Sequence, residues 1–313
     1  MYRILITGGG GFLGKSLVNF LLRETNYEII SMIRSPPGDP FGSHNRVKII
    51  YHDLREPIGK SCSEKIGKID YIVHFAAATD VKKSVADPMS FVLDNVVGTT
   101  NLLEFALTNL GHLKQFLYFS TAEVFGRNPR GVVSKEDDTP TSYSPYAATK
   151  IGAQELCASY ERTFKLPVVI AYAMNVFGPH QSQEKFIPLI IEKIQKEETV
   201  LIQLNAAGTT PNRRNYLHVD DLCDAILFLS RNGSSGEKYN IAAAEESNNL
   251  KIAQLISKLL DKKLNYQLVE QKENSLALPQ LSGEKLQSLG WHQKKTLEGG
   301  LRELIEWTQG EAI

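Results

Sequence analysis

Thr7-Gly8-Gly9-Gly10-Gly11-Phe12-Leu13-Gly14 follows the apolar run Arg3-Ile4-Leu5-Ile6 and leads into Phe12, Leu13, Leu17, Phe20 and Leu21 at near-helical spacing. A strand, a glycine turn and a helix in that order put backbone N–H groups and a helix dipole where a pyrophosphate can bind. A side chain at Gly8 or Gly11 would block the turn or the approach of the phosphates, and Gly14 permits tight packing of helix on strand. The segment has a second formal reading. Gly9, four residues, then Gly14-Lys15-Ser16 is the pattern of an NTPase phosphate loop. That geometry starts the helix near Gly14 and turns Lys15 to the phosphates. The dinucleotide geometry starts it near Gly11 and buries Phe12 and Leu13. Redox residues further along the chain, with no comparable magnesium site, favour the dinucleotide.

Outward from this loop, β-branched or aromatic runs recur at Tyr27 to Ile33, Val47 to Tyr51, Tyr71 to Phe75, Gln115 to Ser120 and Val168 to Tyr172, with helical patterns between most of them. One such pattern is Phe91, Val92, Val96, Thr99, Leu103 and Ala106, expected to face the core. The rhythm predicts an α/β fold, a Rossmann-type doubly wound parallel sheet. After residue 178 helices dominate, at Lys185 to Gln195, Asp220 to Leu229, Asn249 to Leu260, Gly283 to Leu289 and Leu297 to Trp307. The expected division is a dinucleotide-binding part, 1–178, and a smaller, mostly helical substrate part, 179–313, free to send the chain back to the sheet. Two polar connections, Arg127 to Pro145 and Asn205 to Arg213, are long enough to be expected to frame a pocket.

Composition narrows the function classes. The 313 residues carry 35 Lys plus Arg and 35 Asp plus Glu, so no excess charge points to nucleic acid or an anionic membrane surface. No apolar run approaches the roughly 18 residues of a membrane span. The chain begins directly on a strand with no export signal expected, and three scattered cysteines, Cys62, Cys157 and Cys223, form no Cys-x-x-Cys pair. A reducing, cytoplasmic setting is expected. The seven histidines show no paired ligand spacing, so no metal is expected; His218-Val219-Asp220-Asp221 reads as a strand end and a helix cap.

The second strand ends Met32-Ile33-Arg34-Ser35, where a nicotinamide site normally has an acid for the adenosine ribose. Arg34 and Ser35 suit a ribose 2′-phosphate and favour NADP over NAD, the alternative being an arginine that only stacks on adenine. In Ser144-Pro145-Tyr146-Ala147-Ala148-Thr149-Lys150, Tyr146 and Lys150 lie four apart on one face of a helix that Pro145 can start. A nearby ammonium favours phenolate and draws a tyrosine toward use as a base.

With these residues in view the chain resembles the extended short-chain dehydrogenase/reductase family, the NAD(P)-dependent sugar-nucleotide epimerases and dehydratases, over nearly its whole length. The matching pieces are TGGGGFLG, HDL ending at Leu54, HFAAA from His74, DNVVGTTNLLE from Asp94, FSTAEVFG from Phe119, YAATK from Tyr146, NVFGP from Asn175 and RNYLHVDD from Arg214. The resemblance implies that Asp53 and Leu54 border the adenine and that Phe75, Ala76 and Ala77 line the cofactor channel. It implies a catalytic trio of Thr121, Tyr146 and Lys150, with Tyr146 taking a proton from a sugar hydroxyl to give a 4-keto sugar and Lys150 on the nicotinamide ribose. Ser84, Asn175, Lys185 and Arg214 would contact a nucleotide-diphosphate sugar, and a homodimer is implied.

Within that family the chain looks most like the 4,6-dehydratases and related decarboxylases. These generally follow the threonine with Asp-Glu; here Ala122 replaces the aspartate and Glu123 remains as the expected base for the carbon 5 proton. Tyr172, where an arginine often stands, and Ser275 to Gln280, which lack an Arg-Tyr pair, are further departures. A decarboxylase, a 4-epimerase and a 4-keto reductase stay open, as do, from other classes, a phosphate-loop NTPase and a non-catalytic NAD(P) sensor.

Overall fold

The computed structural model describes residues 1–35, 41–42, 44–126, 132–205, 208–270 and 279–310. Seven strands form its main sheet: β1 (Arg3–Thr7), β2 (Glu28–Ile33), β3 (Val47–Tyr51), β4 (Tyr71–His74), β5 (Gln115–Thr121), β6 (Val168–Ala173) and β7 (Lys238–Ile241). All pairings are parallel and the order is β7-β6-β5-β4-β1-β2-β3. The order reverses direction beside β1, so the ends of β1 and β4 open a crevice there, the place where doubly wound sheets bind ligands.

Two apolar layers cover the sheet. On one face α1 (Phe12–Glu24) and α2 (Val219–Asn232) bury Leu17, Leu21, Ile226 and Leu229 with Ile4 and Ile6. On the other, α3 (Gly98–Thr108) and α4 (Pro145–Phe164) bury Leu102, Leu103, Ala153 and Cys157 with Leu5 and Ile72. Central strands buried on both faces explain the near-continuous apolar runs in the sequence. A third cluster, with Ile187, Ile191, Ile252, Ile256, Leu301 and Leu304, packs Phe186–Gln195, Asn249–Leu259 and Leu297–Thr308 together.

The allowed return of the chain occurs, and one expectation shifts. The chain returns to the sheet after residue 178, because α2 packs on α1 and β7 pairs with β6. β7 is only four residues long, Lys-Tyr-Asn-Ile, too short and polar to stand out in the sequence. The segment before α3 is an α-helical turn, Pro88–Phe91, followed by a π-helical stretch, Val92–Val97. The wider winding breaks the 3.6-residue register, so Val92 is exposed while Phe91 and Asn95 are buried. Of the long connections, residues 127–131 and 206–207 lie outside the described residues, as do residues 275–278.

His74, at the end of β4, is 1% exposed. Its Nδ1 lies 2.7 Å from Thr7 Oγ1 and its Nε2 3.0 Å from Thr99 Oγ1. Thr99 spends its own hydrogen on Asn95 O, so it accepts from Nε2–H, and Nδ1 accepts from Thr7. Burial, then the charge of Lys150, lowers the pKa to about 3. An unfolded histidine gains a proton near pH 6.5 while this one stays neutral, so between about 6.5 and 3 the unfolded chain binds more protons and stability falls with pH. Acidifying from pH 7.5 to 5 should therefore cost wild type about 2 kcal/mol more than it costs His74→Gln. Urea titrations at both pH values measure this difference, and equal losses would refute it.

Candidate active site

The crevice at the sheet's reversal is a cavity of about 1260 Å³. Its first wall is the glycine turn. The helix starts at Phe12 with Gly11 as its N-cap, and Gly8, Gly11, Phe12 and Leu13 face the cavity. Gly8 has φ +69°, and a Cβ there would stand 2.8 Å from Ala76 N, so the turn requires glycine. A Cβ on Gly14 would overlap the Gly8 carbonyl. This is the dinucleotide geometry. Lys15 falls inside the helix, and Ser16 Oγ donates to Phe12 O at 2.8 Å, neither being placed as a phosphate loop needs. Phe75, Ala76 and Ala77 line the channel beyond β4.

Arg34, Asp53 and Leu54 form the far end of the same cavity. Arg34 is half-exposed and is not free: its Nη1 donates to both Asp94 oxygens, at 3.1 and 3.2 Å. Ser35 is exposed and is not among the lining residues. The expected NADP preference took Arg34 as an uncommitted guanidinium; the structure commits it to a carboxylate.

At the other end β5 stops at Thr121, whose side chain caps the short 3₁₀ turn Ala122–Phe125 by accepting from Glu123 N at 3.3 Å. Ser144 caps α4 by accepting from Ala147 N at 3.1 Å, and Pro145 fills the first helical position. Tyr146 and Lys150 then share the cavity-facing side of the helix, as their spacing of four predicts. Tyr146 and Thr121 meet at this end, the Thr121 side chain favouring the phenolate. Lys150 Nζ donates to Phe119 O at 2.7 Å and lies 4.3 Å from the Tyr118 ring centroid.

Burial governs the charges. It draws Lys150 down to about 7. It pushes Tyr146 well above an ordinary phenol, with the charge of Glu123 adding to the rise and the Thr121 hydrogen bond opposing it. Glu123 is itself raised by burial against the opposing charges of Lys185 and Arg214. This end of the cavity therefore holds a phenol and a carboxylate whose ionisations compete, beside a lysine whose charged form burial disfavours.

Asn175, Lys185 and Arg214 line the remaining wall. Asn175 is held at φ +47°, and its Nδ2 is a buried donor without a protein partner. Arg214 stands on a two-stranded ribbon, Arg213–Asn215 with Glu246–Asn248. Ser84 does not meet its expectation: its hydroxyl is fully buried and donates to Val81 O within its own helix, away from the cavity wall. The described residues of the two long polar connections also stay off the wall, which is built instead from segments including Asp80, Asp87 and Asp94. Sequence reasoning missed Arg55, Asp94, Tyr216 and Asn249 as lining residues. The first three lay in or beside quoted motifs; nothing local marked Asn249.

Ala122 is 1% exposed and packs with Val124 and Phe125 in the apolar layer. Tyr172 is fully buried, its hydroxyl without a partner. His218 ends a short strand and caps α2, its Nδ1 accepting from Asp220 N at 3.2 Å. Among the described residues it forms the one group with metal-like proximity, with Asp220 and Glu303. Lys295 already bridges those two carboxylates.

Residues 4–242 match the model of the NAD dependent epimerase/dehydratase family. The chain belongs to that family. It is 30% identical to a low-salt glycan biosynthesis protein, Agl12, of Haloferax volcanii, over 98% of this chain and 99% of that protein. It is 31% identical to a dTDP-D-glucose 4,6-dehydratase of Mus musculus, over 97% of this chain and 88% of the other. Among solved structures, the dTDP-glucose 4,6-dehydratase DesIV of Streptomyces venezuelae, with NAD bound, superposes with a TM-score of 0.86 at 29% identity and covers 98% of this chain and 97% of its own. The protein is accordingly an enzyme of the NAD(P)-dependent sugar-nucleotide dehydratase/epimerase kind. No helix among the described residues is long and apolar enough to cross a membrane.

Proposed function

We propose that the protein oxidises carbon 4 of a nucleotide-diphosphate sugar and then removes the proton from carbon 5. The observation that carries this reading is the convergence of Thr121, Tyr146 and Lys150 at one end of a cavity whose other end is a dinucleotide turn, with Glu123 behind the wall but within electrostatic reach of Tyr146, Lys185 and Arg214. A nicotinamide dinucleotide fits: the Gly8 turn leaves no room for a Cβ, and the N-terminus of α1 points into the cavity. When bound, it supplies the hydride acceptor and donor.

Tyr146 takes the proton of the sugar hydroxyl, and Thr121 hydrogen-bonds the same oxygen. Lys150 holds the nicotinamide ribose, and its ammonium favours the phenolate. The unpaired Asn175 amide, with Lys185 and Arg214, holds the diphosphate or its neighbourhood through charge-assisted hydrogen bonds. Residues 1–178 with the returning β7 serve the dinucleotide, and the rest of 179–313 serves the sugar nucleotide. Arg34 in place of an acid supports NADP(H), with NAD(H) as the alternative. Free Cys62, Cys157 and Cys223 support a reducing, cytoplasmic setting, and the exposed Val85 and Met89 are consistent with the homodimer that the resemblance implies.

Three outcomes follow from these roles. Tyr146→Phe keeps the ring's packing and loses the base, so coenzyme and substrate should still bind while turnover falls roughly 10²- to 10⁴-fold; near-normal turnover refutes the role. Arg34→Ala should weaken NADP(H) about tenfold or more and leave NAD(H) nearly unchanged, as measured by calorimetry. For Glu123, a ketone at carbon 4 acidifies carbon 5, and a carboxylate raised by burial is matched to that proton. In deuterated water the wild type should incorporate deuterium at carbon 5 during dehydration or epimerisation, and Glu123→Gln should not. Turnover with no deuterium at that carbon returns the assignment to 4-epimerisation, 4-keto reduction or, if carbon dioxide is released, decarboxylation.

A further inference from the structure

Four charged side chains meet at the end of the cavity opposite the reaction centre. Arg34 grips both oxygens of Asp94. Arg55 Nε donates to both oxygens of Asp53, at 3.1 and 2.9 Å, and lies 3.8 Å from Asp94 Oδ1. All four line the cavity, and their formal charges cancel. Asp94 is the inner member: its side chain is 18% exposed against 57% for Arg34. It reaches this position on the π-helical stretch Val92–Val97, whose winding buries the adjacent Asn95.

We propose that Asp94 sets the coenzyme ratio, holding the Arg34 fork and so weakening NADP(H) relative to what Arg34 alone would allow. The inference rests on the cavity being a dinucleotide site. A ribose 2′-phosphate that takes the Nη1 donors of Arg34 must draw them away from Asp94, and one that takes the Nε and Nη2 donors instead sits beside the Asp94 carboxylate as a second anion on the same guanidinium. A neutral ribose hydroxyl meets no such penalty, since it donates to Asp94 or accepts from Arg34 while the pair stays intact. Arg55 is a poorer substitute, because its Nε and Nη2 both donate to Asp53. The residue type at the end of β2 therefore does not decide selectivity alone; a carboxylate 60 positions later in the chain competes with the phosphate for the same guanidinium.

The test is calorimetric titration of the full chain with NAD(H) and NADP(H), using wild type, Asp94→Asn and the double variant Asp94→Asn/Arg34→Ala. Asp94→Asn should shift the ratio of dissociation constants toward NADP(H) by about tenfold or more, and the double variant should abolish the shift. Asp94→Ala carries the same expectation and serves if the asparagine variant does not fold. A ratio within twofold of wild type in a folded Asp94 variant overturns the inference and leaves the dinucleotide site standing. A shift that persists without Arg34 also overturns it. If folded wild type binds neither dinucleotide, the reading of the cavity fails and the inference with it.

Discussion

A buried chain of hydrogen bonds running from the glycine turn to the catalytic helix holds this structure's chemistry in register. Thr7, the last residue before Gly8, donates to His74; His74 donates to Thr99; Thr99 donates to Asn95 O. Asn95 Nδ2 then donates to Thr149 Oγ1 at 2.9 Å, and Thr149 Oγ1 to Tyr146 O at 2.8 Å. Asn95 also pairs with both backbone groups of Ala78, at 2.7 and 3.0 Å, fixing the channel segment beyond β4. Each such bond adds only about 1 kcal/mol net, but an orphaned buried partner costs about 1–3 kcal/mol, so a slip of one element penalises the others. The two ends of the cavity are thereby set relative to each other before any ligand enters.

The same burial that protects the network raises the problem the reaction must solve. Tyr146 and Glu123 are both pushed toward their neutral forms, and each anion disfavours the other. In the proposed sequence this coupling orders the steps. Once Tyr146 has taken the hydroxyl proton it is neutral, and Glu123 no longer faces a phenolate when it acts on carbon 5. The charges of Lys185 and Arg214 favour the Glu123 carboxylate.

Much of this was legible in the sequence, because the signals were local. The turn at Gly8 and the i, i+4 pair Tyr146 and Lys150 are properties of a few consecutive residues, and the apolar strand runs follow from burial on both faces. What escaped depended on geometry that the sequence does not carry. Val92 faces outward because a π-helical stretch interrupts the α register, and Ser84 is satisfied inside its own short helix. Arg34 stood correctly at the end of β2, but its partner Asp94 comes from a segment whose proximity follows only from the fold. Asn249 reaches the wall through tertiary packing, which no local pattern announces.

The return of the chain to the sheet explains how the sugar-nucleotide wall is held without a separate rigid domain. Asn175 and Arg214 come from either side of the parallel bridge in which Val176–Phe177 pairs with Leu217–His218. That bridge leads directly into α2, which packs on α1, the helix beginning at the glycine turn. At the junction, Asp220 binds both Arg23 of α1 and Lys295, and Lys295 continues to Glu303 on Leu297–Thr308. With its ammonium between the two carboxylates, Lys295 offsets their charge and ties the C-terminal helix to α2 and, through Asp220 and Arg23, to α1. The wall carrying Asn175 and Arg214 therefore takes its position from the helix that begins at the glycine turn, so one packed unit sets the distance between the two sides of the cavity that the proposed coenzyme and sugar would occupy.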